Sequence, residues 1–125
     1  MAFYLQSVST GLFVDIKEGD QGQGARVALR PVSGSLSQQW EYIQGNLVNR
    51  DNKFLMDISG GGSTGDIILW IPTGGENQRW LFDQDFTIRC GLGTVLDASS
   101  GSTLVAATKT ASDAQKFRVA PVLQP

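Results

Sequence analysis

Carboxylate and amide side chains recur at similar intervals along the 125-residue chain. A glutamine stands two positions before an aromatic residue at intervals of about 40 residues, at Gln38, Gln78 and Gln115. An aspartate precedes each glutamine, at Asp15, Asp57 and Asp97. An ionised carboxylate only accepts hydrogen bonds, whereas an amide both donates and accepts them. Such pairs can satisfy backbone groups of loops, and they can also bind the hydroxyl groups of a ligand.

Catalytic chemistry has little support in this sequence. Histidine is absent, which removes the most common general base and metal ligand. The carboxylates Asp83 and Asp85 could suggest glycoside hydrolysis, but they lie two residues apart in a polar turn with no apolar pocket. Cys90 is interpreted as a packing thiol, and "GGGSTG" (60–65) lacks the lysine of a phosphate-binding loop. We therefore expect no enzyme activity, no cofactor and no metal.

Charge and hydropathy also limit the partners. The formal net charge is −2, from 10 basic and 12 acidic residues, and the basic residues are scattered, so no nucleic acid is expected. No apolar run approaches the length of a membrane span, and residues 1–15 lack the basic region of a signal peptide. One cysteine cannot form an intrachain disulfide. We expect no membrane insertion and a cytoplasmic or non-classically secreted protein.

The recurring residues belong to an internal repeat of about 40 residues. In each repeat a segment of the type "FVDI", "LMDI" or "VLDA" comes first, a second apolar segment follows, and the glutamine motif ends the unit. Apolar residues alternate within these segments, and Gly- and Ser-rich stretches separate them, which predicts short β-strands. The residues predicted to face inward are Val27, Leu29, Ile67, Leu69, Leu104 and Ala106, with Leu5, Val48 and Ile88 starting the three units.

The three repeats, approximately 3–45, 46–85 and 86–121, predict one all-β domain over residues 1–125. A unit of this size cannot bury its own apolar face, so the three must share one core. This favours a β-trefoil with pseudo-threefold symmetry, in which hairpins cap a closed barrel that has no open edge. The aromatic residues of the glutamine motifs are expected in the core, and they are Trp40, Trp80 and Phe117.

This pattern resembles the ricin-type (QxW) β-trefoil lectin family from Phe3 to Pro121. The resemblance implies carbohydrate binding, with galactose or N-acetylgalactosamine as the ligand. Family members usually carry a disulfide in each repeat, but the corresponding positions here are Phe13, Leu55 and Val95 on one side and Val32, Pro72 and Thr110 on the other. The chain is therefore similar to disulfide-free fungal-type members, and burial of these residues is expected to replace the cross-links.

The resemblance also implies which residues bind the sugar. The family uses the aspartate of the repeat, an aromatic residue on the following hairpin and the Asn-Gln pair before the tryptophan, and the second repeat carries the full set: Asp57, Trp70, Asn77 and Gln78. A pyranose has an apolar face that an aromatic ring can cover and hydroxyl groups that a carboxylate and an amide can bind. Because Ile67 and Leu69 are predicted to face the core, Trp70 is predicted to face outward.

The other two repeats match this pattern less well. The first predicts a possible weaker site formed by Asp15, Arg30, Ser37 and Gln38, in which an arginine replaces the aromatic residue. The third keeps Asp97 but has Ala107 and Ala114 at the aromatic and amide positions, which is typical of a structural copy.

Two alternatives stay open from the sequence. Some β-trefoils inhibit proteases through surface loops, and the glycine-rich segments 18–24 and 59–65 could act in this way. Trp70 could also pack against a loop or a partner subunit instead of a ligand. A single shallow sugar site binds weakly, so a homodimer would be a means of gaining avidity.

Overall fold

The computed structural model describes residues 1–122, so the last three residues of the predicted domain lie outside the described part. Twelve strands make up the fold: β1 Phe3–Ser7, β2 Phe13–Ile16, β3 Val27–Arg30, β4 Trp40–Ile43, β5 Asn46–Asn49, β6 Leu55–Ile58, β7 Gly65–Trp70, β8 Trp80–Phe82, β9 Ile88–Cys90, β10 Val95–Asp97, β11 Val105–Ala107 and β12 Phe117–Pro121. Short 3-10 turns occupy Leu36–Gln38, Ser59–Gly61, Glu76–Gln78 and Asp113–Gln115. Across residues 1–122, none of the helical segments has the length and apolar character needed to span a bilayer.

Six of the strands form a barrel. Antiparallel ladders join β12 to β1, β1 to β4, β4 to β5 and β8 to β9. The two remaining junctions are made by single backbone hydrogen bonds, from Trp80 N to Gly45 O (2.8 Å) and from Phe117 N to Phe86 O (2.9 Å). The barrel is thereby closed, and the predicted all-β trefoil is confirmed.

Three hairpins, β2–β3, β6–β7 and β10–β11, cover one end of the barrel. They meet through backbone hydrogen bonds around the pseudo-threefold axis. Leu69 N donates to Ala25 O (2.9 Å), Leu104 N to Val27 O (2.9 Å) and Ile67 N to Leu104 O (3.1 Å). Since each hairpin bonds to both of the others, the residues on its outer face have a fixed position relative to the neighbouring repeat.

The core lies inside the barrel and under the hairpins. Trp40 and Trp80 are fully buried, and Phe117 takes the same position in the third repeat with 3% exposure. All the predicted inward-facing hairpin residues are buried. Of the three residues predicted to start the units, Leu5 and Ile88 lie in the core cluster, whereas Val48 is buried outside that cluster and Leu47 belongs to it. Asn49 pairs with Trp40 in the β4–β5 ladder, and this register turns Leu47 inward.

Burial does not replace the family's disulfides in the predicted way. Leu55 and Val95 are buried, but Val32 is 62% exposed, and Pro72 and Thr110 are exposed as well. The second member of each pair lies in the surface loop after a hairpin, where apolar contacts are few. Hydrogen bonds from the buried glutamines hold these loops instead.

Candidate functional site

A buried glutamine connects hairpin and barrel in every repeat. In the second repeat, Gln78 Nε2 donates to Asp57 Oδ2 (2.8 Å) and to Ile71 O (2.8 Å), while Oε1 accepts from Thr73 N (2.9 Å). The first and third repeats have the same three contacts, made by Gln38 and Gln115. The glutamine thus fixes the aspartate and the loop after the hairpin with one side chain.

The predicted residues of the second repeat surround a cavity of about 390 Å³. Asp57, Trp70 and Asn77 line it, together with Ser59, Gly60, Gly61, Ile68 and Thr73. Gln78 does not line this cavity, because it is 1% exposed and both N–H groups of its amide are already used within the protein. Three of the four predicted residues therefore meet at one surface, and the fourth stands behind Asp57.

The strand β7 sets the orientation of Trp70. Ile67 and Leu69 on this strand are fully buried, so Ile68 and Trp70 point to the opposite face, where both are half-buried. Gly24, in the 18–24 loop of the first repeat, lies beside the ring: a β-carbon added there would sit 3.6 Å from Trp70 Cζ3. The indole is supported on that side and contributes to the cavity wall on the other.

The carboxylate of Asp57 is held by side-chain amides. Besides the bond from Gln78, its Oδ1 accepts from Asn77 Nδ2 (3.1 Å), and the same Nδ2 also donates to Ile58 O (3.1 Å). Burial raises the pKa of Asp57 above its ordinary value, and the hydrogen bonds from Gln78 and Asn77 oppose that rise only in part. With both N–H groups of Asn77 engaged, its Oδ1 can accept a further hydrogen bond.

A glycine that the sequence analysis did not single out makes room for Asn77. A β-carbon on Gly75 would clash with Asn77 Oδ1. In the first and third repeats this position holds Ser35 and Ser112, whose hydroxyls accept from the backbone two residues later (3.2 and 3.1 Å). The fold therefore tolerates serine at this position. Glycine is needed only in the second repeat, where the side chain of Asn77, two residues later, occupies the space of a β-carbon.

Gly75→Ser is expected to weaken ligand binding at this cavity by about three- to tenfold, the equivalent of one displaced hydrogen bond. Isothermal titration calorimetry would measure the affinity and chemical denaturation the stability, which should change little. Gly62→Ser is the matched control, since a β-carbon there meets nothing within 4 Å. Unchanged affinity in Gly75→Ser would mean that Asn77 does not contact the ligand.

The predicted residues of the first repeat also lie together, but there the carboxylate is close to an arginine. Asp15, Arg30, Ser37 and Gln38 share a concavity of about 300 Å³. Arg30 Nη1 lies 3.9 Å from Asp15 Oδ2, and its Nη2 lies 3.9 Å from Glu18 Oε1. Asp15 Oδ1 also accepts from a backbone N–H. The carboxylate of this repeat already faces a cation, and no ring stands beside it.

The third repeat has a carboxylate without the other groups. Asp97 Oδ1 accepts from Ser99 N (2.6 Å) and Oδ2 from Gln115 Nε2 (2.8 Å). Burial raises the pKa of Asp97, but the hydrogen bonds from Ser99 and Gln115 outweigh it and leave the pKa below its ordinary value. Ala107 and Ala114 provide neither a ring nor an amide, as expected of a structural copy.

The groups that could have suggested catalysis, Cys90, Asp83 and Asp85, are engaged within the protein. The Cys90 thiol is buried and donates to Glu76 O (3.1 Å), and burial raises the pKa of this thiol. Asp83 contacts Arg89 at 2.9 Å, and Asp85 accepts from Thr87. Within residues 1–122, no group of three or more Cys, Asp or Glu side chains is placed to hold a metal ion.

The sequence profile of the ricin-type beta-trefoil lectin domain matches residues 1–117, so the chain belongs to this family. Solved structures with the same fold include the designed threefold-symmetric protein ThreeFoil, which is 23% identical at a TM-score of 0.84 over 97% of this chain and 99% of that one. The C-half of the earthworm R-type lectin, solved with GalNAc, is 21% identical at a TM-score of 0.80 and is covered to 97%, over 95% of this chain. A sequence comparison with curated proteins gives no match.

The fold also occurs as one part of larger proteins. The hemolytic lectin CEL-III is 16% identical at a TM-score of 0.84, over 94% of this chain but only 29% of that one. Identities at this level establish the fold alone. Membership of the lectin family supports carbohydrate binding as the class of function and glycans as the class of partner.

Proposed function

We propose that this protein binds glycans ending in galactose or N-acetylgalactosamine through the cavity of the second repeat. The observation that carries the proposal is the meeting of Asp57, Asn77 and Trp70 at one cavity of about 390 Å³. A carboxylate, an amide oxygen and an indole face are the groups that a pyranose requires, and here they converge on a single surface.

Each group has a distinct role in the proposed complex. Asp57 accepts hydrogen bonds from two adjacent hydroxyl groups, and Asn77 Oδ1 accepts from a third hydroxyl group. Trp70 covers the apolar face of the ring. The positioning residue Gln78 does not touch the sugar, because its two amide N–H groups bind Asp57 Oδ2 and Ile71 O.

The preference for galactose rests on the shape of its apolar face. Its axial hydroxyl at carbon four leaves the C–H groups on the opposite side free to stack on Trp70. The complex of the earthworm lectin with GalNAc, in the same fold, supports this choice. One shallow site of this kind corresponds to a Kd of about 0.1–1 mM. A homodimer or several copies of the domain would then provide avidity.

The first repeat is proposed as a weaker site. Arg30 can donate to hydroxyl groups but must first leave the carboxylates of Asp15 and Glu18, each 3.9 Å away. Because no ring covers the apolar face of the sugar there, its affinity should be below that of the second repeat.

Calorimetric titration with galactose, N-acetylgalactosamine and glucose tests the proposal. We expect the two galacto-configured sugars to bind with a Kd of about 0.1–1 mM and glucose about tenfold more weakly. No heat from any galacto-configured sugar or lactose, together with inhibition in a protease panel, would instead favour the loop-based inhibitor.

The affinity for galactose should fall on acidification, and at a higher pH than for an ordinary aspartate. Only the ionised Asp57 accepts two hydroxyl hydrogen bonds, and its pKa is raised above 3.8 by burial. Its folded-state pKa exceeds the unfolded value, so folding stability from this group is present at low pH and is lost as pH rises. Protonation of Asp57 therefore does not destabilise the folded protein, so weaker galactose binding near its pKa is not caused by unfolding.

Titrations from pH 7 down to about 4 would measure this effect, with circular dichroism verifying the fold at each pH. The carboxyl of Asp97, whose pKa is lowered, stays ionised to a lower pH than Asp57 and is a built-in comparison. A constant Kd over the whole range with intact fold would exclude contact between Asp57 and the sugar.

A further inference from the structure

A second cavity, of about 410 Å³, lies at the junction of the second and third repeats. It shares no lining residue with the cavity beside Trp70. Its wall is formed where β8 turns into β9 and along the neighbouring strand β12, by Phe82, Asp83, Phe86, Thr87, Phe117, Arg118 and Val119. Neither the lectin fold nor the proposed sugar site requires this cavity.

The lining of this second cavity is largely apolar and open to solvent. Phe82 is 39% exposed, Phe86 54% and Val119 53%, while Phe117 is buried behind them. Large apolar side chains that are exposed together, with a polar rim, are characteristic of a binding surface.

Phe86 has an unusual backbone for so large a side chain. Its φ is +71°, in the left-handed region that favours glycine, and its N–H donates to Asp83 O (3.2 Å) to close the turn. The corresponding turn between β4 and β5 ends with Gly45 at φ +84°. A bulky, exposed ring held in a strained conformation points to a function for the ring itself.

The wall of the cavity also carries a cation, the guanidinium of Arg118. The Arg118 guanidinium lies 5.8 Å from the centre of the Phe86 ring, and it makes no ion pair or side-chain hydrogen bond among the residues described. The nearby acidic groups are used elsewhere, since Asp83 pairs with Arg89 and Asp85 with Lys109. Among the residues described, Arg118 is therefore the charged side chain of the cavity wall with which an anion can pair, although the chain as a whole carries −2.

We propose that this cavity binds a small organic anion with a flat apolar ring, such as an aromatic carboxylate or sulfonate. The ring packs against Phe82, Phe86 and Val119, and the anionic group pairs with Arg118. Binding excludes water from an apolar surface and gives the Arg118 guanidinium an anionic partner. This site acts independently of sugar binding at Trp70.

Fluorescence titration with 8-anilinonaphthalene-1-sulfonate tests this proposal, because the probe is an aromatic anion that brightens in an apolar site. We expect saturable binding to one site per chain that excess galactose does not displace. Arg118→Gln should lower the affinity by about tenfold or more, as expected for loss of a charged partner. Arg79→Gln, an exposed arginine outside the cavity, is the matched control and should leave the affinity unchanged.

Two further measurements separate the site from non-specific adsorption. Phe86→Gly should weaken binding of the probe without lowering the melting temperature, because glycine relieves the left-handed backbone. The neutral analogue N-phenyl-1-naphthylamine should bind the wild type and Arg118→Gln equally. Equal affinity of the anionic probe for the wild type, Arg118→Gln and Phe86→Gly would overturn the proposal.

Discussion

Trp80→Ala is expected to lower the free energy of unfolding by about 3–5 kcal/mol, enough to unfold much of a domain of marginal stability. The ring is 0% exposed in the shared core, and its Nε1 donates to Met56 O (3.0 Å) across the repeat. Truncation removes the buried surface, leaves a cavity and deprives a buried carbonyl of its partner. Urea denaturation followed by circular dichroism would measure the change.

The neighbouring position provides the control for Trp80. Leu81 is 48% exposed on the same strand, so Leu81→Ala should change stability by no more than about 0.5 kcal/mol. Trp80→Phe should be milder than Trp80→Ala, because the third repeat already has Phe117 at this position. Equal stability of Trp80→Ala and Leu81→Ala would be incompatible with a core shared by the three repeats.

Trp70→Ala is expected to abolish measurable binding of galactose, a loss of at least tenfold from a Kd of about 0.1–1 mM. The indole is half-buried on the outer face of β7, so the fold should survive its removal. Titration calorimetry would measure the affinity, and denaturation should show a stability loss well below that of Trp80→Ala. Removal of the Trp80 ring is thus expected to affect mainly stability, and removal of the Trp70 ring mainly galactose binding.

Trp70→Phe tests whether any aromatic ring is sufficient for binding or whether the larger indole is needed. A phenyl group retains a face for stacking, so this variant should bind galactose more weakly than the wild type but better than Trp70→Ala. If Trp70→Ala bound galactose as well as the wild type does, the indole would be packing only against the loop at Gly24, and the sugar site would lie elsewhere.

The fold was predictable because the same pattern of apolar and polar residues occurs in all three repeats. Alternation at residues such as Ile67 and Leu69 identified the strands, and the interval of about 40 residues identified the trefoil. The start of the second repeat was less predictable: Leu47 and Val48 are adjacent buried apolar residues, and the pairing of Asn49 with Trp40 decides which of them joins the core cluster. Local sequence does not contain that register.

The sequence predicted which side chains line the candidate site, but not which residues hold them in position. Asp57, Trp70 and Asn77 meet at one cavity as expected, but Gln78 stands behind it because its hydrogen bonds are already made. Gly75 gave no signal, since a glycine in a polar loop has many uses and its need here depends on the position of Asn77 Oδ1. Such requirements follow from three-dimensional contacts.

Two-dimensional NMR of ¹⁵N-labelled protein titrated with N-acetylgalactosamine would locate the bound sugar residue by residue. We expect chemical-shift changes at the Trp70 indole N–H, the Asn77 side-chain amide and the backbone around Asp57, with little change around Asp97. Shift changes confined to another repeat, or their absence at sugar concentrations of several times about 1 mM, would contradict sugar binding at the second repeat.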